Sequence, residues 1–145
     1  MRVGFYLAPG QPVERVLPLI ARAAARAGQR MLVVGGSDDL LARIGDALWG
    51  YAPADFLASG RAGEPHAAHQ PVLLARECVA ENGASLVALA DGVWREEAES
   101  FERALLFFDE SGREAAREVW RRFDGRQDVE REFHELDGGK WQRRR

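Results

Sequence analysis

Only one cysteine, Cys78, occurs in the 145 residues, so no disulfide can form within the chain and the pattern suits a reducing compartment. The expected location is therefore cytoplasmic. No segment reaches the ~18 apolar residues of a membrane-spanning helix. The start, Met1-Arg2-Val3-Gly4-Phe5-Tyr6-Leu7 running on into Pro9, lacks the long apolar stretch and small-residue cleavage pattern of an export signal. Neither export nor membrane insertion is expected. Lysine is nearly missing: nineteen of the twenty basic residues are arginine. A large excess of either charge is missing too, since 23 acidic and 20 basic residues leave −3. That balance argues against a protein ruled by nonspecific attraction to phosphate backbones, and no direct DNA binding is expected.

Catalytic constellations are also wanting. A phosphate-binding loop needs spaced glycines and a lysine at a helix start. Gly35-Gly36-Ser37-Asp38 has no lysine and sets an acid where phosphate would sit, so it reads as a structural turn. His66 and His69 have no second cysteine or acidic cluster to complete a metal site and read as part of a solvated loop. His134, in the charged tail, reads as solvated as well. Cys78 has no histidine beside it and reads as a buried thiol. Ser37 and Ser85 lack a nucleophile-elbow context. Glu96, Glu97 and Glu99 suit a helix start, where the macrodipole favours carboxylates. The expectation is a non-catalytic chain with no metal and no cofactor.

What is present is a globular balance of 46% apolar and 30% charged residues, which predicts one domain over 1–145. Val3–Leu7, Met31–Val34, Pro71–Ala75 and Ser85–Ala90 are short apolar runs bounded by turn residues and read as buried strands. Ala104–Phe108 fits a strand or a helix end, and the strand is favoured. Asp55–Ala58 is a further short strand, and Ser59–Gln70 reads as a loop. Apolar residues recur at helical spacing from Pro12 to Gly28, with Pro18 as a kink point or a later helix start. The same spacing predicts a helix that carries Leu40, Leu41, Ile44, Leu48 and Trp49 and ends near Gly50-Tyr51-Ala52-Pro53, and another from about Ser111 to Phe123. Gly28 suits a left-handed C-terminal cap, and Ser37-Asp38-Asp39 and Asp109 to Ser111 offer capping oxygens. Strands alternating with helices predict an α/β fold: three α/β/α layers around a mostly parallel sheet, nucleotide-binding-like but without a phosphate loop. The segment from Asp128 to Arg145 reads as a charged tail.

Several local patterns keep their order along the chain. Phe5-Tyr6-Leu7 stands at the opening strand. Asp46-Ala47-Leu48-Trp49 is followed by Phe56-Leu57, Phe108-Asp109 by Ala116-Arg117-Glu118-Val119-Trp120-Arg121, and Trp141 stands in the tail. Together they resemble the chi subunit family of bacterial DNA polymerase III, whose matching segment reads Leu-Asp-x-x-Leu-Trp and then Phe-Leu-Pro-His. Here Ala58-Ser59 replaces the Pro-His, and the ending from Lys140 is longer and more basic than is usual in the family.

The resemblance implies an accessory subunit of the polymerase III holoenzyme. Such a subunit links the clamp loader to single-stranded DNA-binding protein by gripping that protein's acidic C-terminal tail, which ends in phenylalanine. It implies that Arg117 and Trp120 carry the grip and that Leu106 lines the same pocket. It also implies that the region of Trp49, Phe56 and Leu57 is a second partner surface, facing a psi-like subunit. Helical neighbours Arg117, Trp120 and Arg121 then cluster, with Arg117 on the terminal carboxylate, Trp120 and Leu106 beside the phenyl ring, and Arg113, Arg121 and Arg122 attracting aspartates. Periodicity alone puts Trp120 in the core with Ala116 and Val119. Two other readings stand beside this one. One is a single-stranded nucleic-acid-binding domain using Arg121, Arg122, Arg126 and the terminal arginines. The other is a degenerate nucleotide-fold enzyme that holds a small ligand.

Overall fold

The short apolar runs become strands because each is too brief for a helix and is closed by turn residues, and all of them join one sheet. The computed structural model describes residues 1–50 and 57–144. Its strands are β1 (Arg2–Leu7), β2 (Met31–Val34), β3 (Ser59–Arg61), β4 (Val72–Ala75), β5 (Leu86–Leu89), β6 (Arg103–Phe108), β7 (Glu130–Asp137) and β8 (Lys140–Arg144). They lie in the order β3-β4-β2-β5-β6-β1-β7-β8, every neighbouring pair parallel except β7 with β8.

Because successive strand residues point to opposite faces, each buried strand feeds two cores. On one face Tyr6, Met31, Val33, Leu74, Ala88, Leu105 and Phe107 pack with helices α1 (Val13–Arg26) and α2 (Asp38–Gly50). On the other, Phe5, Leu7, Leu32, Val34, Val87, Leu106 and Phe108 pack with Ala116, Val119 and Phe123 of helix α3 (Arg113–Arg122) and its end. The expected α/β class, mostly parallel and three-layered, is the observed one. None of the helices among the described residues is long and apolar enough to cross a membrane.

The helix punctuation follows the sequence. Pro18 sits inside α1 without ending it. Gly28 takes φ +73°, Gln29 N–H donates to Ala24 O at 2.9 Å and Gly28 N–H to Ala25 O at 3.0 Å. This double closure satisfies the last carbonyls of the helix. The Gly35-Gly36 turn serves α2, since Ser37 Oγ accepts from Leu40 N–H at 3.2 Å.

Two stretches differ from expectation. Of the strand read at Asp55–Ala58, Asp55 and Phe56 lie outside the described residues; the strand observed is Ser59–Arg61, inside the stretch read as a loop. It is a three-residue edge strand, half-buried at each position, so it carries no apolar run to betray it. The charged tail is no tail, because β7 and β8 form a hairpin that continues the sheet beyond β1. Asp137 pairs with Lys140 across Gly138-Gly139, whose φ values of +59° and +81° are those of a primed two-residue turn. His134 is half-buried rather than solvated, stacking on Tyr6 at 4.6 Å, and Trp141 meets the same ring edge-on at 5.1 Å.

Asn82 is the buried polar residue of the described core, 1% exposed. Its Nδ2 donates to Met31 O at 3.2 Å and Gln70 O at 2.9 Å, and its Oδ1 accepts from Ala84 N–H at 3.3 Å. One amide thus ties together the entries to β2, β4 and β5. Asn82→Ala strands these groups, a loss of roughly 1–3 kcal/mol and a fall of roughly 3–10 °C in melting temperature by calorimetry. An unchanged melting temperature would show that the amide does not carry this junction.

At the other side of the sheet, Arg2 Nη2 donates to Glu132 Oε1 at 2.8 Å. This hydrogen bond, against the opposing effect of burial and with help from His134, holds the Glu132 carboxyl at about 2. A depressed carboxylate contributes stability that is fully present above its unfolded value of ~4.3 and is lost as pH falls toward the folded value. Urea midpoints of the wild type should therefore drop between pH ~4.3 and about 2, and Glu132→Gln should flatten part of that drop.

Candidate functional site

Strand β6 delivers the chain to a sharp entry into α3. The Asp109 carboxylate accepts from Ser111 N–H at 3.0 Å, Ser111 Oγ–H at 2.6 Å and Gly112 N–H at 3.3 Å. The 3-10 turn Glu110–Gly112, so capped, leads into α3, which crosses over β1 to reach β7, as a parallel connection requires. Arg113, Ala116, Arg117 and Trp120 recur at three- and four-residue steps and share one stripe of the helix. Beneath that stripe the strands present aromatic rings: Phe5 and Phe133 are register partners on β1 and β7, and Phe108 ends β6.

Between helix and sheet lies a cleft of about 350 Å3 lined by Phe5, Phe108, Arg113, Ala116, Arg117, Trp120 and Phe133. Ala116 keeps the helix side shallow enough for it. The half-buried Trp120 stands edge-on to Phe5 at 5.0 Å and 61°. The Arg131 guanidinium from β7 lies 4.7 Å from the centre of the indole and donates to Trp120 O at 2.6 Å and Asp124 Oδ1 at 2.8 Å. A cation over the ring face and a hydrogen bond to its own backbone fix the indole in place. At the rim, Arg113 donates through Nε and Nη2 to Glu110 at 3.0 and 2.9 Å, and Arg117 Nη1 donates to Glu114 Oε1 at 2.9 Å. The hydrogen bond from Arg113 holds the Glu110 carboxyl below the usual carboxylate range. Such a cleft can take an aromatic group in its floor and carboxylates at its rim.

Of the residues expected from the sequence, the structure brings Arg113, Arg117 and Trp120 together at this cleft. Arg121 lies exposed on the next helical step, outside the wall. Leu106 is fully buried beneath the cleft, and Phe108, two residues on along the same strand face, takes the place expected for it. Trp49 is 68% exposed at the end of α2, whereas Leu57 is buried in the α1–α2 core rather than on a surface, and Phe56 lies outside the described residues.

Three wall residues escaped the sequence reading. Phe5 and Phe108 appeared only as parts of strands and of local patterns, and Phe133 was hidden in the supposed tail. The signal for Phe133 was present: a Gly-Gly pair between two short segments marks a hairpin. Elsewhere, Arg126 pairs with Glu99 and Asp128, and Arg144 with Asp137. Cys78, expected to be buried, is half-buried, and that burial pushes its thiol up from the ordinary value. His66 and His69 are exposed, and among the described residues no group of three or more His, Cys, Asp or Glu is placed to hold a metal.

Fold and cleft together define a three-layer α/β protein of nucleotide-binding-like layout that lacks a phosphate loop and carries an aromatic cleft rimmed by arginine. The family model of the DNA polymerase III chi subunit, HolC, matches residues 1–128, and the chain belongs to that family. It is thereby a replication accessory subunit of DNA polymerase III. No curated protein matches the chain significantly. The matched segment stops just before β7, so Arg131 and Phe133 reach the cleft from beyond it.

Proposed function

We propose that the cleft under α3 binds the acidic C-terminal tail of single-stranded DNA-binding protein, with the tail's last phenylalanine in the aromatic floor. The observation that carries this reading is the meeting of aromatic rings with two guanidiniums in one cleft of about 350 Å3. A phenyl ring is an apolar group of suitable size and shape for edge-to-face contact with Phe5, Phe108 and Trp120. The carboxylate that ends the chain lies one residue backbone away from that ring, within reach of Arg117 for charge-assisted hydrogen bonds. Aspartates further back along the tail meet Arg113 at the rim and, beyond it, the exposed Arg121.

In this reading the chain has no chemical step to perform and needs no cofactor. It holds the clamp-loader complex to the protein that coats the single strand during replication. The end of α2, where Trp49 is exposed, faces a psi-like subunit on the clamp-loader side in this reading.

A fluorescence-anisotropy titration with a labelled acidic peptide ending in phenylalanine tests the proposal. Wild type should bind saturably, more weakly as salt rises. Arg117→Ala should weaken binding at least ~10-fold, and amidation of the peptide's terminal carboxylate should do the same, since each removes one side of a charge-assisted contact. Failure of the folded wild type to bind at low salt rejects the tail-binding mechanism.

A further inference from the structure

Both cleft arginines already hold a carboxylate, and each carboxylate comes from the residue three positions earlier. Arg113 is paired with Glu110 and Arg117 with Glu114. Arg121 and Arg122, one step further along α3 and outside the cleft wall, form no ion pair among the described residues. Along α3 the pairing is confined to the two arginines of the cleft wall. All four paired side chains are substantially exposed, from 35% for Arg113 to 77% for Glu114, so the pairs are weak and exchangeable.

We infer that Glu110 and Glu114 determine the specificity of this cleft, keeping Arg113 and Arg117 from collecting phosphodiester anions while yielding to a carboxylate that arrives attached to an aromatic side chain. The second half rests on the tail-binding reading above; the first does not. Replacing one carboxylate by another at a guanidinium is close to an even exchange, so the gain must come from what the incoming anion brings with it. A phenyl ring brings apolar surface with no polar edge, which the floor of Phe5, Phe108, Trp120 and Phe133 can bury without loss. A nucleobase brings a polar edge. Apart from the two guanidiniums and the indole N–H of Trp120, the lining side chains carry no donor or acceptor, so burying a base there leaves most of its polar edge unsatisfied. The phosphate would then have to displace a glutamate while the stacking of its base on the rings is offset by the unsatisfied polar edge. For an accessory subunit that works beside single-stranded DNA, that difference separates the wanted ligand from an abundant wrong one.

The test compares wild type, Glu110→Gln/Glu114→Gln and a control pair, Glu81→Gln/Glu96→Gln. The control glutamates are exposed, lie outside the cleft, form no ion pair among the described residues, and produce the same change in net charge. Each protein, checked for folding by circular dichroism, is titrated at low salt against labelled oligothymidylate and against the acidic peptide ending in phenylalanine. The cleft variant should bind oligothymidylate roughly tenfold tighter than wild type and the peptide about 2–5-fold tighter, with the control within ~2-fold of wild type for both. If the cleft variant tracks the control on oligothymidylate, or loses affinity for the peptide, the inference is overturned. If wild type fails to bind the peptide, the tail-binding reading falls, while the oligothymidylate arm still decides whether the two glutamates exclude phosphate.

Discussion

Strand β1 is the constraint on which the rest of the molecule depends. It is hydrogen-bonded to β6 on one side and β7 on the other, and both of its faces are buried. From Val3 to Leu7 every side chain must therefore serve one core or the other. Phe5 goes to the α3 side, where it becomes the floor of the cleft; Tyr6 goes to the α1 side, where His134, Phe107 and Trp141 close around it. The fit there is close enough that a Cβ on Gly4 would stand 2.6 Å from the Tyr6 ring, which is itself held between neighbours. Glycine at this place is a packing requirement.

The cleft follows from how the chain must pass over that strand. Since β6 and β7 flank β1 and all three are parallel, the connection has to cross one face, and α3 is that crossing. A ten-residue helix spans only part of the strand length it covers, and Ala116 at its middle leaves a gap that a larger residue would fill. The cleft is thus space left by the topology. The hairpin supplies the opposite wall and, through Arg131, steadies the indole that the helix supplies. Sheet extension and site formation are one event.

How much of this could be read beforehand depended on burial. The strands buried on both faces announced themselves as apolar runs, and α1, α2 and α3 as periodic stripes, because in each case one environment fixed the residue type. Strand β7 was illegible for the opposite reason. Its residues are half-buried, and Glu132 is paired with Arg2. His134 is covered by an aromatic ring, so polar residues take places that usually demand apolar ones. For the site, resemblance and helical spacing gave the α3 half; the β-strand half needed tertiary contacts between Phe5 and Phe133, residues distant in sequence. Leu106 was placed one alternation too deep, a distinction between Leu106 and Phe108 that only the position of the strand end can make.

The layout also shows why a fold of nucleotide-binding type offers phosphate so little. In parallel α/β sheets anions bind at the carboxyl ends of the strands, at helix N-termini. Here the crevice in that place is lined by Glu14, Asp91 and Asp109 against the single guanidinium of Arg43, which Glu14 already holds at 3.2 Å. Burial pushes Asp91 up, but hydrogen bonds from Arg95 outweigh it and keep the carboxylate charged beside Gly36. Helix α1 starts after Pro12, which has no N–H to give, and its first turn carries Glu14, so the positive end of its dipole meets an acid of its own chain. In the tail-binding reading, anion binding falls not to backbone amides at the strand ends but to arginine side chains on α3. There carboxylate recognition can be tuned by neighbouring glutamates without disturbing the sheet.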